Sequence, residues 1–147
     1  MLTIEDLRPV ARWAADCAER ALPIFEAKAA HAAAREVGDP AAAASARAAS
    51  VAAAVAYTHP IATPHQVNHI LGPAAYAAQA IALRAGEADA GETEIRRAIA
   101  LAPTEVRQVM QGMPERAPGK RKLGALFLQL EMGQLEMGQL EMGVRRA

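Results

Sequence analysis

Apolar residues recur every three or four positions along most of the chain, which is the spacing of one face of an α-helix. The first such segment begins at Thr3, which is followed by Asp6 in the arrangement of a helix-capping box. Pro9 is tolerated only near the first turn of a helix, so this helix is predicted to start late or to bend there. Its predicted apolar face consists of Ile4, Leu7, Val10, Ala14, Cys17, Ala18 and Ala21, with Trp13 beside it.

Gly38, Asp39 and Pro40 mark a reversal between two helices. Glycine suits the left-handed position after a helix, aspartate suits the N-cap, and proline suits the first helical position. A connection this short makes the neighbouring helices antiparallel, so residues 25–37 and 41–57 are predicted to form a helical hairpin.

Residues typical of helix starts and ends also delimit the next helix. Thr63 and Pro64 predict its start, Gly86 predicts its end, and Pro73 predicts a kink within it. Residues 87–92, which are rich in acidic side chains and contain a glycine, are predicted to form a loop. Further apolar helical segments are predicted at 95–101, 104–110 and 123–130.

Composition decides the fold class. Hydrophobic residues make up 52% of the chain, but about half of these are alanine, and aromatic residues make up only 3%. Strands need β-branched and aromatic residues, which are too sparse here, whereas alanine is the best helix former. The sequence therefore predicts an all-α, Ala-rich antiparallel bundle of about five to seven helices, with residues 1–128 as a single domain.

The C-terminal region contains the sequence Gln-Leu-Glu-Met-Gly three times in succession. On an α-helix a five-residue step turns about 500°, so successive leucines drift by about 140° and form no stripe. Each unit also has a glycine, which costs about 1 kcal/mol relative to alanine. Residues 129–147 are therefore predicted to be a frayed helix or disordered, with little contribution to the core beyond Gly133. The alternative is a Met-rich helix that binds a partner.

Charge and targeting signals narrow the function classes. The chain has 16 basic and 16 acidic residues, so it has no basic excess to attract nucleic acid. The single Cys17 cannot form an intrachain disulfide, which suits a reducing compartment. No signal-peptide pattern and no long apolar run are evident, so a cytoplasmic protein without a membrane segment is expected.

Four histidines raise the question of a metal site: His31, His59, His65 and His69. His65 and His69 are four residues apart and share a helix face, and His59 could supply a third ligand. No acidic residue lies between His65 and His69, and this spacing is common on helices. No bound metal and no cofactor are therefore expected, with His65 exposed and His69 partly buried.

The sequence offers no persuasive catalytic group. Cys17 lies on an Ala-rich face between Asp16 and Glu19, whose charges raise a thiol pKa, so it is interpreted as a small buried apolar residue. The nearby carboxylates resemble a solvated helix face rather than an acid–base pair. A non-enzymatic protein is expected.

The chain resembles a family of bacterial immunity proteins of polymorphic toxin systems, some of which carry a DNA-exonuclease label. The resemblance covers most of residues 1–128 and excludes the repeats. Members of the family have a further helical segment after the position of Glu26, which this chain lacks, and a homodimer could cover the core left exposed. The segments that carry the resemblance are 2–8, 11–20, 22–26, 32–36, 38–40, Tyr-Thr-His-Pro-Ile-Ala at 57–62, Gln-Val-Asn-His-Ile-Leu at 66–71, and Pro-Gly-Lys at 118–120.

The resemblance implies an all-helical protein that binds and occludes a cognate toxin. Candidate binding residues are Tyr57, His59 and His69, which fall on the family pattern, and Lys120 and Arg121, from the basic run before the last segment. The alternative is a bundle that binds a metal or small molecule through Tyr57, His59, His65 and His69. A role in DNA repair, which the exonuclease label would imply, is disfavoured by the zero net charge and the lack of a nuclease carboxylate cluster.

Overall fold

The computed structural model describes residues 4–22, 38–55, 62–114 and 122–146. These residues contain six helices and no strand, and 88% of them are helical, which confirms the all-α prediction. The helices are α1 (Ile4–Glu19), α2 (Pro40–Val55), α3 (Pro64–Ala85), α4 (Ala88–Leu101), α5 (Thr104–Gln111) and α6 (Lys122–Arg146).

The 22-residue helix α3 is the centre of the bundle, because α1, α2, α4 and α6 all pack against it. Its bulky residues Val67, Ile70 and Leu71 are fully buried and belong to the main apolar core. Its alanines form the rest of its buried surface, since a methyl side chain lets a neighbouring helix approach closely. A second, smaller cluster consists almost entirely of alanine: Ala18, Ala21, Ala44, Ala48, Ala77 and Ala80, with Ala52 and Tyr76 against it.

The caps predicted at Asp39, Thr63 and Gly86 are present. Asp39 Oδ1 accepts hydrogen bonds from the backbone N–H groups of Ala41 and Ala42, at 2.7 and 3.3 Å. Thr63 Oγ1 accepts the N–H of Gln66 at 3.3 Å, and Gly86 ends α3 with a left-handed φ of 75°. Residues 25–37, the first half of the predicted hairpin, lie outside the described residues.

The two prolines within helices do not interrupt them. Helix α1 begins at Ile4 and contains Pro9, so the late start is wrong. Helix α3 continues through Pro73 to Ala85. Gly72, the residue before Pro73, lies very close to α2. A Cβ atom on Gly72 would lie 2.8 Å from Val51 Cγ1. The glycine at this position therefore allows α2 and α3 to meet.

The acidic loop predicted at residues 87–92 is wrong, because α4 begins at Ala88. Gly91 is buried within its first turns. A Cβ atom on Gly91 would lie 3.0 Å from both the carbonyl oxygen of Ala78 and the Cβ of Ala82. This glycine lets α4 cross α3 at close range, and it does not mark a loop.

The prediction that the repeats beyond Gly133 contribute little to the core is also wrong. Helix α6 runs through all three repeats, and its residues Leu130, Gln134 and Gly138 are buried. The glycines make this contact possible, since a Cβ on Gly133 would meet the Ile99 side chain and one on Gly138 would meet Gln111. The first two repeats therefore pack on α4 and α5, and Gly133 and Gly138 allow the close approach.

The expected rotation of the repeats around the helix is confirmed. The three leucines pass from buried at Leu130, through half-buried at Leu135, to 66% exposed at Leu140. The same drift takes one glutamine into the core, where the Gln134 amide is fully buried and neither of its polar atoms has a hydrogen-bond partner. A sequence repeat out of step with the helix thus places identical residues in different environments.

Candidate binding cleft and histidine pair

A cleft of about 440 Å³ opens between α1 and α4. Helix α1 and the residue after it supply five lining side chains at helical spacing, and the last two turns of α4 supply three. The lining residues are Trp13, Asp16, Cys17, Glu19, Arg20, Arg97, Ala98 and Leu101.

The floor of the cleft is apolar and fixed. Trp13 and Cys17 lie one turn apart on α1, and both are buried. The indole Nε1 of Trp13 donates a hydrogen bond to the backbone carbonyl of Ala98 at 3.2 Å. A buried tryptophan needs a partner for this N–H, and here the partner lies on α4, so the bond sets the separation of the two helices.

A buried carboxylate holds two arginines beside the cleft. Each oxygen of Glu94 has its own partner: Oε1 lies 3.0 Å from Nη1 of Arg97, and Oε2 lies 3.4 Å from Nη2 of Arg20. The Glu94 side chain is only 6% exposed, so its charge requires this compensation. Because Glu94 and Arg97 are both on α4 whereas Arg20 follows α1, the pair between Arg20 and Glu94 joins the two walls.

The mouth of the cleft has uncompensated acidic groups and an exposed leucine. Asp16 and Glu19 are exposed on α1, and within the described residues neither forms an ion pair. The cleft and the buried Glu94 beside it contain two arginines and three carboxylates, so their formal net charge is −1. Leu101 is 61% exposed at the rim. The cleft thus presents apolar surface next to carboxylates.

The prediction that Cys17 is a small buried residue is confirmed. Burial, and to a lesser degree the charge of Glu94, raise the pKa of its thiol from 9.0 to about 12, although Arg97 acts in the opposite direction. The thiol is therefore protonated at neutral pH. A protonated, buried thiol lacks the thiolate that nucleophilic chemistry needs.

We expect Cys17 to resist thiol reagents while the protein is folded. A pKa of about 12 in place of 9.0 leaves about one thousandth as much thiolate at pH 8, and burial adds a steric barrier. A chromogenic disulfide reagent at pH 8 should release no product from the native protein over minutes and one equivalent in concentrated urea. Complete reaction without urea within minutes would contradict the structure, and Cys17→Ala provides the blank.

His65 and His69 lie on successive turns at the start of α3. Their Nε2 atoms are 3.1 Å apart, and the rings are perpendicular with centroids 4.6 Å apart. His65 is exposed and His69 is half-buried, as predicted. Burial lowers the pKa of His69, and the neighbouring His65 lowers it further. The Nδ1 atom of His69 is buried and has no hydrogen-bond partner among the described residues.

Most residues proposed from the sequence as binding residues lie outside the described residues: Tyr57, His59, Lys120 and Arg121. Of the five candidate binding residues, only His69 lies within the described residues. Within the described ranges, no group of three or more His, Cys, Asp or Glu side chains is arranged to hold a metal ion.

The cleft could not be predicted from the sequence. The spacing of Glu94 and Arg97 on one helix is visible in the sequence, but Arg20 lies 74 positions from Glu94. Only the tertiary arrangement that places α1 across from α4 brings Arg20 into range.

No protein-family model, curated protein or solved structure matches the chain. The comparisons therefore assign it to no family, and the resemblance to immunity proteins stays a prediction from sequence segments. None of the described helices combines the length and apolarity needed to cross a membrane.

Proposed function

We propose that this chain is a non-enzymatic cytoplasmic protein that binds a bacterial toxin through the cleft between α1 and α4 and occludes it. One observation carries the proposal. Five of the eight residues that line the cleft lie in residues 11–20, one of the segments in which the chain resembles immunity proteins. The sequence resemblance and the shape of the surface therefore coincide.

The rigidity of the cleft supports a role in protein recognition. Binding energy is concentrated where an apolar side chain enters a preformed pocket and where polar groups are already oriented. The Trp13 hydrogen bond and the Glu94 ion pairs fix the walls before a partner arrives. Leu101, already exposed at the rim, supplies apolar area that a partner would cover.

Charge indicates the kind of partner surface. Asp16 and Glu19 present carboxylates at the mouth of the cleft. Opposite charge steers association and selects among partners, so the complementary surface is a basic side chain next to an apolar one. In this proposal the cleft holds the central contact, and the exposed faces of the surrounding helices supply the rest of the interface area.

The proposal requires a toxin gene beside this gene, and the test uses the C-terminal toxin domain that such a gene would encode. Leu101→Asp should weaken binding of this domain by at least about tenfold, as expected for an apolar contact that the partner covers, and should abolish protection of cells that express the toxin domain. The matched control is Leu83→Asp, because Leu83 is 47% exposed on α3 and does not line the cleft. Isothermal titration calorimetry and a growth assay give the two readouts.

Charge reversal provides an independent arm of the same experiment. Glu19→Lys should slow association and reduce its dependence on salt, whereas Glu87→Lys, an exposed position away from the cleft, should not. Equal effects of a cleft variant and its control would overturn the assignment of this surface. The absence of a toxin gene beside this gene, or no binding by the unaltered protein, would overturn the proposed function.

A further inference from the structure

The histidine pair at the start of α3 has the geometry of a metal chelate. The Nε2 atoms of His65 and His69 lie 3.1 Å apart. We propose that these two nitrogens bind one divalent transition-metal ion such as Cu²⁺, Ni²⁺ or Zn²⁺. This proposal stands on the ring geometry and does not depend on the toxin-binding cleft.

The distance between the nitrogens fits an ion between them. Histidine nitrogens lie about 2.0–2.1 Å from zinc, which places two such ligands about 3.3 Å apart at a tetrahedral angle and about 2.9 Å apart at a right angle. The observed 3.1 Å lies between these values. An ion can therefore be bound with small rotations of either ring, and the helix holds both rings in place before it arrives.

The protonation states also favour a ligand role. Two imidazoles this close cannot both be charged without repulsion. A neutral ring has one nitrogen lone pair to donate, which is the form that binds metals. Binding through both Nε2 atoms requires that each neutral ring carries its proton on Nδ1.

The surroundings predict a weak and exchangeable site. Ligating histidines usually donate the other ring N–H to an acceptor, but Nδ1 of His69 is buried without one. Within the described residues no third His, Cys, Asp or Glu completes the ligand set, so water would occupy the remaining positions. We expect a chelator or gel filtration to remove the ion.

The test is titration of the full-length protein with Cu²⁺, Ni²⁺, Co²⁺ and Mg²⁺ by calorimetry, with electron paramagnetic resonance of the Cu²⁺ form. We expect one Cu²⁺ per chain with two nitrogen ligands, and affinity that falls from Cu²⁺ to Ni²⁺ to Co²⁺, with no Mg²⁺ binding. His65→Ala should weaken Cu²⁺ binding by at least about tenfold. His69→Ala should do the same, with circular dichroism to confirm that it folds.

His31→Ala is the matched control, since it removes a histidine outside the pair and should leave Cu²⁺ binding unchanged. Because His65 is exposed, its replacement leaves the core intact, so loss of binding in that variant cannot be attributed to unfolding. Unchanged Cu²⁺ affinity in His65→Ala, equal loss in His31→Ala, or Mg²⁺ binding as tight as Cu²⁺ binding would each overturn the proposal.

Discussion

Truncation after Leu130 is expected to lower the midpoint of thermal unfolding by about 5–15 °C, as a loss of about 2–4 kcal/mol would for a chain of this size. The truncation removes Gln134 and Gly138, which are buried, and Leu135, which packs on the main core. It also uncovers Ile99 on α4, against which Gly133 lies. Exposure of this apolar surface to water is the main cost.

Truncation after Gly138 is the matched control. It retains the repeat residues that are buried against α4 and α5, and the first two residues that it removes, Gln139 and Leu140, are exposed. We expect its midpoint to stay within about 2 °C of that of the full chain, as for changes at the surface. Equal midpoints for both truncated proteins and the full chain would mean that the repeats do not stabilise the bundle.

Helix ends could be predicted from the sequence because a cap depends on a few adjacent residues. Asp39 and Thr63 accept hydrogen bonds from N–H groups two or three positions along the chain, so the pattern contains both partners. Gly86 takes the left-handed conformation at the end of α3 for an equally local reason. Alanine content then determined the fold class, since no other regular structure suits it.

Glycines whose role depends on another helix could not be interpreted in this way. Gly86 and Gly91 look alike in the sequence, but the first ends a helix and the second lies within one. What distinguishes them is the α3 backbone against Gly91, which no local pattern shows. The acidic residues around Gly91 reinforced the wrong interpretation, because they resemble a solvated loop.

The prediction for the repeats was right about their rotation around the helix and wrong about their packing. Their drift around the helix followed from geometry alone and is observed in the graded burial of Leu130, Leu135 and Leu140. The conclusion that they would not pack assumed that a helix needs a stripe of leucines. Instead, Gly133 and Gly138 provide contact by allowing close approach to α4 and α5. The same rotation buries the amide of Gln134 without a hydrogen-bond partner among the described residues, which costs stability.

The candidate site could be predicted only in part. The buried, unreactive character of Cys17 followed from its position on an apolar helix face. The close contact of His65 with His69 followed from their spacing of four residues. The cleft did not follow, because Glu94 and Arg20 come together only through tertiary packing.

Gly91→Val is expected to destabilise the protein by about 2–3 kcal/mol, since overpacking a tight contact costs this much, and to lower the unfolding midpoint by about 5–10 °C. The new Cβ would lie 3.0 Å from the carbonyl oxygen of Ala78, and the branched methyl groups would need further space. Ala78 is fully buried on the central helix and cannot move aside as a flexible side chain could. The strain must therefore be relieved by displacing α4 from α3.

The matched control is Ala88→Val, at an exposed position in the first turn of the same helix. It introduces the same β-branched side chain, whose lower helix propensity costs up to about 0.7 kcal/mol, at a position exposed to solvent. Urea unfolding followed by circular dichroism measures both free energies. Because α4 carries Glu94 and Arg97, we expect a displaced α4 also to weaken the toxin binding that is proposed for the cleft. Equal stability of the two variants would contradict the close crossing of α3 and α4.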